Sequence, residues 1–388
     1  MLIASATISS TRKESILPML LYHKISVIVV VFLFCGCQSQ QSTSGDGNLG
    51  SLSKAYEKEF KVGVALNTSQ VSGEIPEATS LIAKHFNSAT PENLLKWESV
   101  HPREEEYNFD PADQYVSFAE KNDMFIVGHT LVWHNQVPGW VFEDKKGNTL
   151  SSDRLLQRMK EHISTVVGRY KGQIDGWDVV NEAVLDQGGM RGSPWYKILG
   201  TDYIAKAFEY AHAADSSAEL YYNDYNLWKT EKRQEVIRLV KQLQAKDIPI
   251  QGIGMQAHLG LRHPPVSKVE ESIEAFSKLG VKVMITELDI DVLPDEEEGA
   301  TANSLELNPY SEGLPDSVQQ KLTERYVELF KLFKKHSTNI DRVTFWGLND
   351  GQSWLNNFPV AGRTNYPLLF DREYNPKPAL KALIDLQH

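Results

Sequence analysis

From about residue 61 to the end of the chain, short β-rich runs alternate with stretches of helical periodicity. That alternation constrains the fold more than any other feature, because strands separated by helices pair in parallel and a parallel sheet must be covered on both faces. Eight such runs are predicted, at 61–67, 87–90, 125–133, 174–181, 220–224, 252–258, 282–288 and 342–347. The helices between them have legible ends. Asp153 opens one whose Leu156, Met159, Ile163, Val166 and Tyr170 share a face, and Gly172 closes it. Asp316 with Gln319 three residues later gives a capping-box-like start to another. The last begins at Lys377-Pro378, where a proline near the first turn forfeits no hydrogen bond. Eight strands, each followed by a helix, predict an α/β chain folded as one (β/α)8 TIM barrel over residues 55–388.

Composition agrees with a large buried core. Hydrophobic residues are 41% and charged residues 23% of the chain, which excludes disordered and collagen-like classes. A formal charge of -11 would repel phosphate backbones, so nucleic acid is not an expected partner. The 2 cysteines, Cys35 and Cys37, close an apolar run at 25–34, so the domain that follows stands on packing without a disulfide. That run is about half the ~20 residues a membrane-spanning helix needs. It follows Lys24 and ends at the small Gly36, the layout of a secretory signal over residues 1–37. The ending Leu33-Phe34-Cys35-Gly36-Cys37 resembles a bacterial lipobox, with Phe34 where Leu is commoner. It implies lipidation at Cys37 and a membrane-anchored lipoprotein whose only membrane contact is the lipid; ordinary secretion with Cys37 cut away is the alternative. Residues 1–18 make a long, partly polar start, whereas Met19 would give a compact one; N-terminal sequencing of the mature protein separates these cases. Residues 38–54, rich at first in Ser, Gln and Gly, read as a flexible tether.

In a parallel barrel the chemistry gathers at the carboxyl ends of the strands. Strand four ends Trp177-Asp178-Val179-Val180-Asn181-Glu182, strand six Met255-Gln256-Ala257-His258, strand seven Ile285-Thr286-Glu287 and strand eight Phe345-Trp346. Glycosidic cleavage needs an acid for the leaving oxygen and, for retained configuration, a second carboxylate ~5 Å away that attacks the sugar carbon. Glu182 and Glu287 are the natural pair, since strands four and seven face each other across a barrel. Singly, each could equally be a surface ion-pair partner; the nearby indoles favour sugar. Gln256 and His258 are two apart on one strand and share a face, as do His129 and Trp133, four apart. If the strand continues, His134 points the other way, which argues against a His129/His134 metal site. Neither metal nor cofactor is expected. Glu92 and Lys96 have the spacing of a helix ion pair.

Several segments resemble, in order, the landmark motifs of glycoside hydrolase family 10, the retaining endo-β-1,4-xylanases. They are Gly128-His129-Thr130-Leu131-Val132-Trp133-His134, the strand-four ending through Glu182, Gly254-Met255-Gln256-Ala257-His258 and Ile285-Thr286-Glu287-Leu288-Asp289. The match extends to 86–97, 191–196, 346–354 and 374–379. The resemblance implies a single catalytic domain with Glu182 as acid/base and Glu287 as nucleophile. It also implies that Asn181 contacts the 2-hydroxyl of the sugar being cleaved, that His258 bonds the nucleophile and that Gln256 lies near the acid/base. Glu92, Asn93 and Lys96 become ligands of the non-reducing-side sugars, and His129 and Trp133 line the cleft. Trp346 and Trp354 flank the cleavage point, with Trp354 crowding C5 of the sugar, while Trp97, Trp177 and Trp195 belong to the packing. Two departures stand out: Asn349 occupies a position where Thr is commoner, and the acidic residues Asp295 to Glu298 lengthen the loop after strand seven. The expected substrates are xylan and xylooligosaccharides and the expected state is a monomer. The rivals are a β-1,4-glucanase of the same fold and a non-catalytic surface glycan-binding protein, which would not need both glutamates.

Overall fold

The computed structural model describes residues 49–294 and 307–387. The expected leader, the expected lipidation at Cys37, most of the expected tether and the acidic residues Asp295 to Glu298 lie outside them. The strands are β1 (Lys61–Leu66), β2 (Ser88–Pro91), β3 (Phe125–Val132), β4 (Gly176–Asn181), β5 (Glu219–Asp224), β6 (Gly252–Met255), β7 (His258–Gly260), β8 (Lys282–Asp291) and β9 (Ile340–Phe345). Between and around them run α1 (Leu52–Ala55), α2 (Thr68–Val71), α3 (Pro76–His85), α4 (Trp97–Val100), α5 (Asp110–Lys121), α6 (Ser152–Arg169), α7 (Pro194–Leu199), α8 (Asp202–Ala214), α9 (Thr230–Ala245), α10 (Val266–Ser277), α11 (Asp316–Lys335) and α12 (Pro378–Asp385).

Every strand pairing is parallel. β1 pairs with both β2 and β9, while β6 pairs with β8, so eight strands close on themselves without an edge. This is the expected (β/α)8 barrel, with β7 as a short addition beside the extended end of β8, His258 opposite Asp289. The predicted sixth run at 252–258 is therefore two strands. Ala257, at φ +63°, breaks the extended backbone between them.

The barrel closes around large side chains opposite small ones. A Cβ on Gly128 of β3 would lie 2.1 Å from the Trp177 ring of β4, so glycine is what lets the indole fill the interior. Trp97 and Trp195 are likewise buried, Trp97 stacked on His162 with ring centres 3.6 Å apart.

Helix ends differ from expectation in detail. Ser151, not Asp153, caps α6 by accepting the Arg154 N–H, which turns Leu155 rather than Leu156 fully inward. α11 has no capping box; Asp316 is its first helical residue and the Pro315 carbonyl accepts the Gln319 N–H at 2.9 Å. Pro378 begins α12 as expected. The folded domain starts earlier than residue 55, because Leu52 is buried and the Tyr56 hydroxyl donates to the Leu383 carbonyl at 2.8 Å, joining α1 to α12. No helix among the described residues is long and apolar enough to cross a membrane.

Candidate active site

The carboxyl ends of the strands bring Glu182 and Glu287 into one hydrogen-bonded network. Glu287 projects from β8 with 6% of its side chain exposed, Glu182 from the residue after β4 with 13%. The network can be followed from one carboxylate to the other. Gln256 Nε2 donates to Glu182 Oε1 and to Asn181 Oδ1, each at 3.1 Å. Asn223 Nδ2 donates to the same Asn181 oxygen at 3.1 Å and to Glu287 Oε1 at 2.7 Å. The Thr286 hydroxyl donates to Asn223 Oδ1 at 2.7 Å, which fixes the amide with its NH2 toward the glutamate. Asn181 thus spends its oxygen on two protein donors, and its NH2 is the group left to bind a ligand.

On the other side of Glu287, His258 Nε2 is 3.1 Å from Oε2, while Nδ1 is 2.9 Å from Asp289 Oδ1. Burial alone would lower the His258 pKa, but the Asp289 and Glu287 carboxylates outweigh it and raise the imidazole to about 10. The ring is then a cation donating from both nitrogens. Burial would likewise raise the Glu287 pKa, but the His258 hydrogen bond, with the His129 and His258 charges and the Asn223 amide, lowers it overall. Glu287 is held ionised. Asp289 Oδ2 also accepts the Trp354 Nε1–H at 2.8 Å, and the Trp354 ring packs 4.8 Å from His258. Trp346 meets His129 edge-on at 5.4 Å, and His129 Nδ1 is 2.9 Å from Asp178 Oδ2.

A polar shelf follows β2. Lys96 Nζ donates to Asn93 Oδ1 at 2.9 Å and to Gln136 Oε1 at 2.8 Å, and lies 4.8 Å over the Trp133 ring. Burial lowers its pKa against the attraction of Glu287, Glu92 and Glu182, so the ammonium senses both central carboxylates. Burial raises the Glu92 pKa, opposed by Lys96 and Asn93. All ten expected sugar-contacting side chains therefore meet at this mouth: Glu92, Asn93, Lys96, His129, Trp133, Asn181, Gln256, His258, Trp346 and Trp354.

Three expectations about how they get there need correction. Gln256 and His258 do not share a strand face; the left-handed Ala257 re-aims His258. His129 and Trp133 do not sit on one regular strand, since the register slips between His129 and Val132 and β3 ends at Val132. With the strand ended, His134 turns inward instead of away, its Nε2 4.0 Å from Glu182 Oε2. Burial first, then Arg191 and Lys232, lower the His134 pKa to about 4, so this imidazole is neutral.

Sequence reasoning also missed Asn223, Asp289 and Gln136. The rule that found the others would have found two of these: Asn223 is the penultimate residue of β5, and Asp289 lies two beyond Glu287 on the same strand. Among the described residues, the one group of side chains with cation-ligand spacing is Glu270, Glu274 and His336. Glu270 and Glu274 lie on α10 and His336 follows the last turn of α11, away from the two central carboxylates.

Residues 51–386 match the model of glycosyl hydrolase family 10. The endo-1,4-beta-xylanase A of Xylanibacter ruminicola is 46% identical over 346 residues, covering 87% of this chain and 94% of that protein. A solved GH10 endoxylanase from a sugarcane soil metagenome superposes with a TM-score of 0.85 at 46% identity, covering 88% of this chain and 100% of its own. A mutant structure in complex with xylotriose has a TM-score of 0.79 at 37% identity, covering 87% and 100%.

Proposed function

The chain belongs to glycosyl hydrolase family 10, and from that premise we propose that it is a retaining endo-1,4-β-xylanase in which Glu287 is the nucleophile and Glu182 the acid/base. Glu287 attacks the anomeric carbon while Glu182 gives its proton to the departing glycosidic oxygen, leaving a xylosyl ester on Glu287. Glu182 then takes a proton from water, which attacks the same carbon and frees the product with its configuration kept.

The observation that carries this assignment is the asymmetry around the two carboxylates. Glu287 is nearly enclosed and has a cationic imidazole and an amide as donors, so it is ionised and oriented, as a nucleophile must be. Glu182 receives one amide donor and faces the neutral His134, so no full positive charge touches its carboxylate among the described residues. An acid that must hold and then return a proton needs that poorer anion site. Asn181, with its NH2 left over, is suited to the 2-hydroxyl, a contact that strengthens as the oxocarbenium-like state forms. Lys96, Asn93, Glu92 and Trp133 supply polar and apolar contacts for the sugars on the non-reducing side.

The experiment is a leaving-group series. Glu287→Ala should lose hydrolysis of xylan and of every aryl xylobioside. Glu182→Ala should lose about 10²–10⁴-fold in kcat/KM on poor leaving groups while sparing dinitrophenyl xylobioside. Equal losses across the series would sink the roles assigned to the two residues.

A further inference from the structure

We propose that the buried pair Asp224–Lys232, together with Tyr222, positions the acid/base Glu182, making these three positioning residues for the proton transfer to the leaving group. The inference rests on the reading of Glu182 as the acid/base. Glu182 adopts φ +58°, a left-handed conformation uncommon for a residue with a Cβ. Such a backbone persists only where its surroundings hold it, and β5 does so through consecutive amides. The Glu182 N–H donates to the Asn223 carbonyl at 2.9 Å, the Ala183 N–H to the Tyr222 hydroxyl at 3.1 Å and the Val184 N–H to Asp224 Oδ2 at 3.4 Å. Tyr222 donates its own proton to Asp224 Oδ2 at 2.6 Å. The Asp224 carbonyl accepts the N–H of Gln256, whose side chain bonds the Glu182 carboxylate. One aspartate is thereby tied both to the turn that carries the acid and to the residue that orients its oxygens.

A carboxylate without exposure needs a counter-charge. Lys232 Nζ, equally without exposure, supplies it at 2.8 Å from Asp224 Oδ1, which also accepts the Tyr225 N–H at 2.9 Å. The ammonium packs 3.4 Å from the centre of the Tyr225 ring and reaches Asp186 Oδ1 at 3.2 Å. Tyr225 in turn accepts from Arg191, which donates through Nε to the Glu182 carbonyl at 2.8 Å.

The groups that face Asp224 are Lys232 from α9, Tyr222 on its own strand, Tyr203 from α8, and Glu182 and Arg191 from the end of β4 and its loop. Burial raises the Asp224 pKa to about 6, Lys232 and Tyr222 oppose that, and Glu182 adds to it. A pair serving only the packing would not act selectively on the proton transfer to the leaving group.

The test compares wild type with Asp224→Asn, Lys232→Met and Tyr222→Phe on xylan and on aryl xylobiosides of graded leaving-group acidity, with circular dichroism as the check on folding. In Asp224→Asn and Tyr222→Phe, kcat/KM on poor leaving groups is expected to fall about tenfold or more, with the dinitrophenyl substrate affected much less. Asp224→Asn replaces the carboxylate to which the Val184 N–H and the Tyr222 hydroxyl donate and leaves Lys232 in place, so its loss reports on how the turn at Glu182 is held. Lys232→Met removes the counter-charge and should produce the same graded loss. A folded variant set with losses equal across leaving groups would make the pair merely structural and overturn the proposal. Should Asp224→Asn not fold, Tyr222→Phe, which deletes one hydroxyl and no charge, decides by the leaving-group comparison alone. Wild-type enzyme inactive on the whole series would instead overturn the assignment of Glu182.

Discussion

At the scale of single residues, the two central glutamates differ through their neighbours, not their chemistry. His258 and Asn223 make one carboxylate a stable anion, while Gln256 and His134 leave the other in a milder setting. The same scale governs specificity. Xylose lacks the hydroxymethyl that glucose carries on C5, and steric crowding there is an economical way to reject glucose. Trp354 is suited to that role because it is doubly fixed, by its Nε1–H bond to Asp289 and by stacking on Phe358 with ring centres 5.1 Å apart. Replacing it with Ala is expected to raise the ratio of cellooligosaccharide to xylooligosaccharide cleavage, read from kcat/KM on matched substrates; an unchanged ratio would remove Trp354 from this role. Glu182, Glu287, Gln256 and His258 were legible in the sequence because polar residues at strand ends are few and mark the mouth, whereas Trp354 was suggested only by the resemblance of its motif to the family. Asn223 and Asp224 close β5 and so stand at a strand end as well, but their work shows only in their partners, Glu287 and Thr286 on β8 for Asn223 and Lys232 on α9 for Asp224, which no local pattern announces.

At the scale of elements, the site depends on where strands are allowed to approach. Gly254 of β6 lies beneath the Asn223 amide, and a Cβ there would sit 2.2 Å from Asn223 Oδ1 and 2.8 Å from Thr286 Cγ2. Gly254→Ala should therefore push Asn223 off both Glu287 and Thr286. A hydrogen bond to a charged group contributes roughly 1.5–3 kcal/mol, so kcat/KM should fall by about 10- to 100-fold with the barrel still folded, measurable on any aryl xylobioside beside a far-ultraviolet spectrum. The eight strand runs were legible because parallel strands buried on both faces are dense in β-formers. The break at Ala257 was not, since alanine carries no preference for a left-handed backbone, and the slip after His129 was equally silent. Each irregularity re-aims a side chain, His258 in one case and His134 in the other, where strict alternation along a strand points elsewhere.

For the whole molecule, charges buried at the mouth couple stability to pH. His258 has a folded-state pKa of about 10 against 6.5 when unfolded, so its stabilisation is complete below about pH 6.5 and is lost as pH rises toward 10. Asp224 and the Asp350 carboxyl paired with Lys377, both raised to about 6 by burial, act in the same sense over a more acidic window: they favour the folded state while protonated, and that contribution is lost as pH rises from about 3.8 to 6. The melting temperature is accordingly expected to decline by several degrees between about pH 7 and 10, and the decline should be shallower in His258→Gln. Parallel slopes for the two proteins would show that the imidazole does not carry this dependence. Closure itself was foreseeable from eight alternating units, whereas the joining of α1 to α12 was not, because a short helix at 52–55 has too few residues to show a period.

The sequence alone determined the architecture and pointed to the pair Glu182 and Glu287, since hydrophobic periodicity and the residues at strand ends are local properties of the chain, while the proposed sugar contacts came mostly from the resemblance of its motifs to a family. Only the tertiary structure decided the surroundings and aim of that pair. Those depend on which amide, imidazole or ammonium from distant strands comes within about 3 Å, and in a closed barrel such distances are set by register, by one left-handed residue and by missing Cβ atoms, none of which follows from residue order alone.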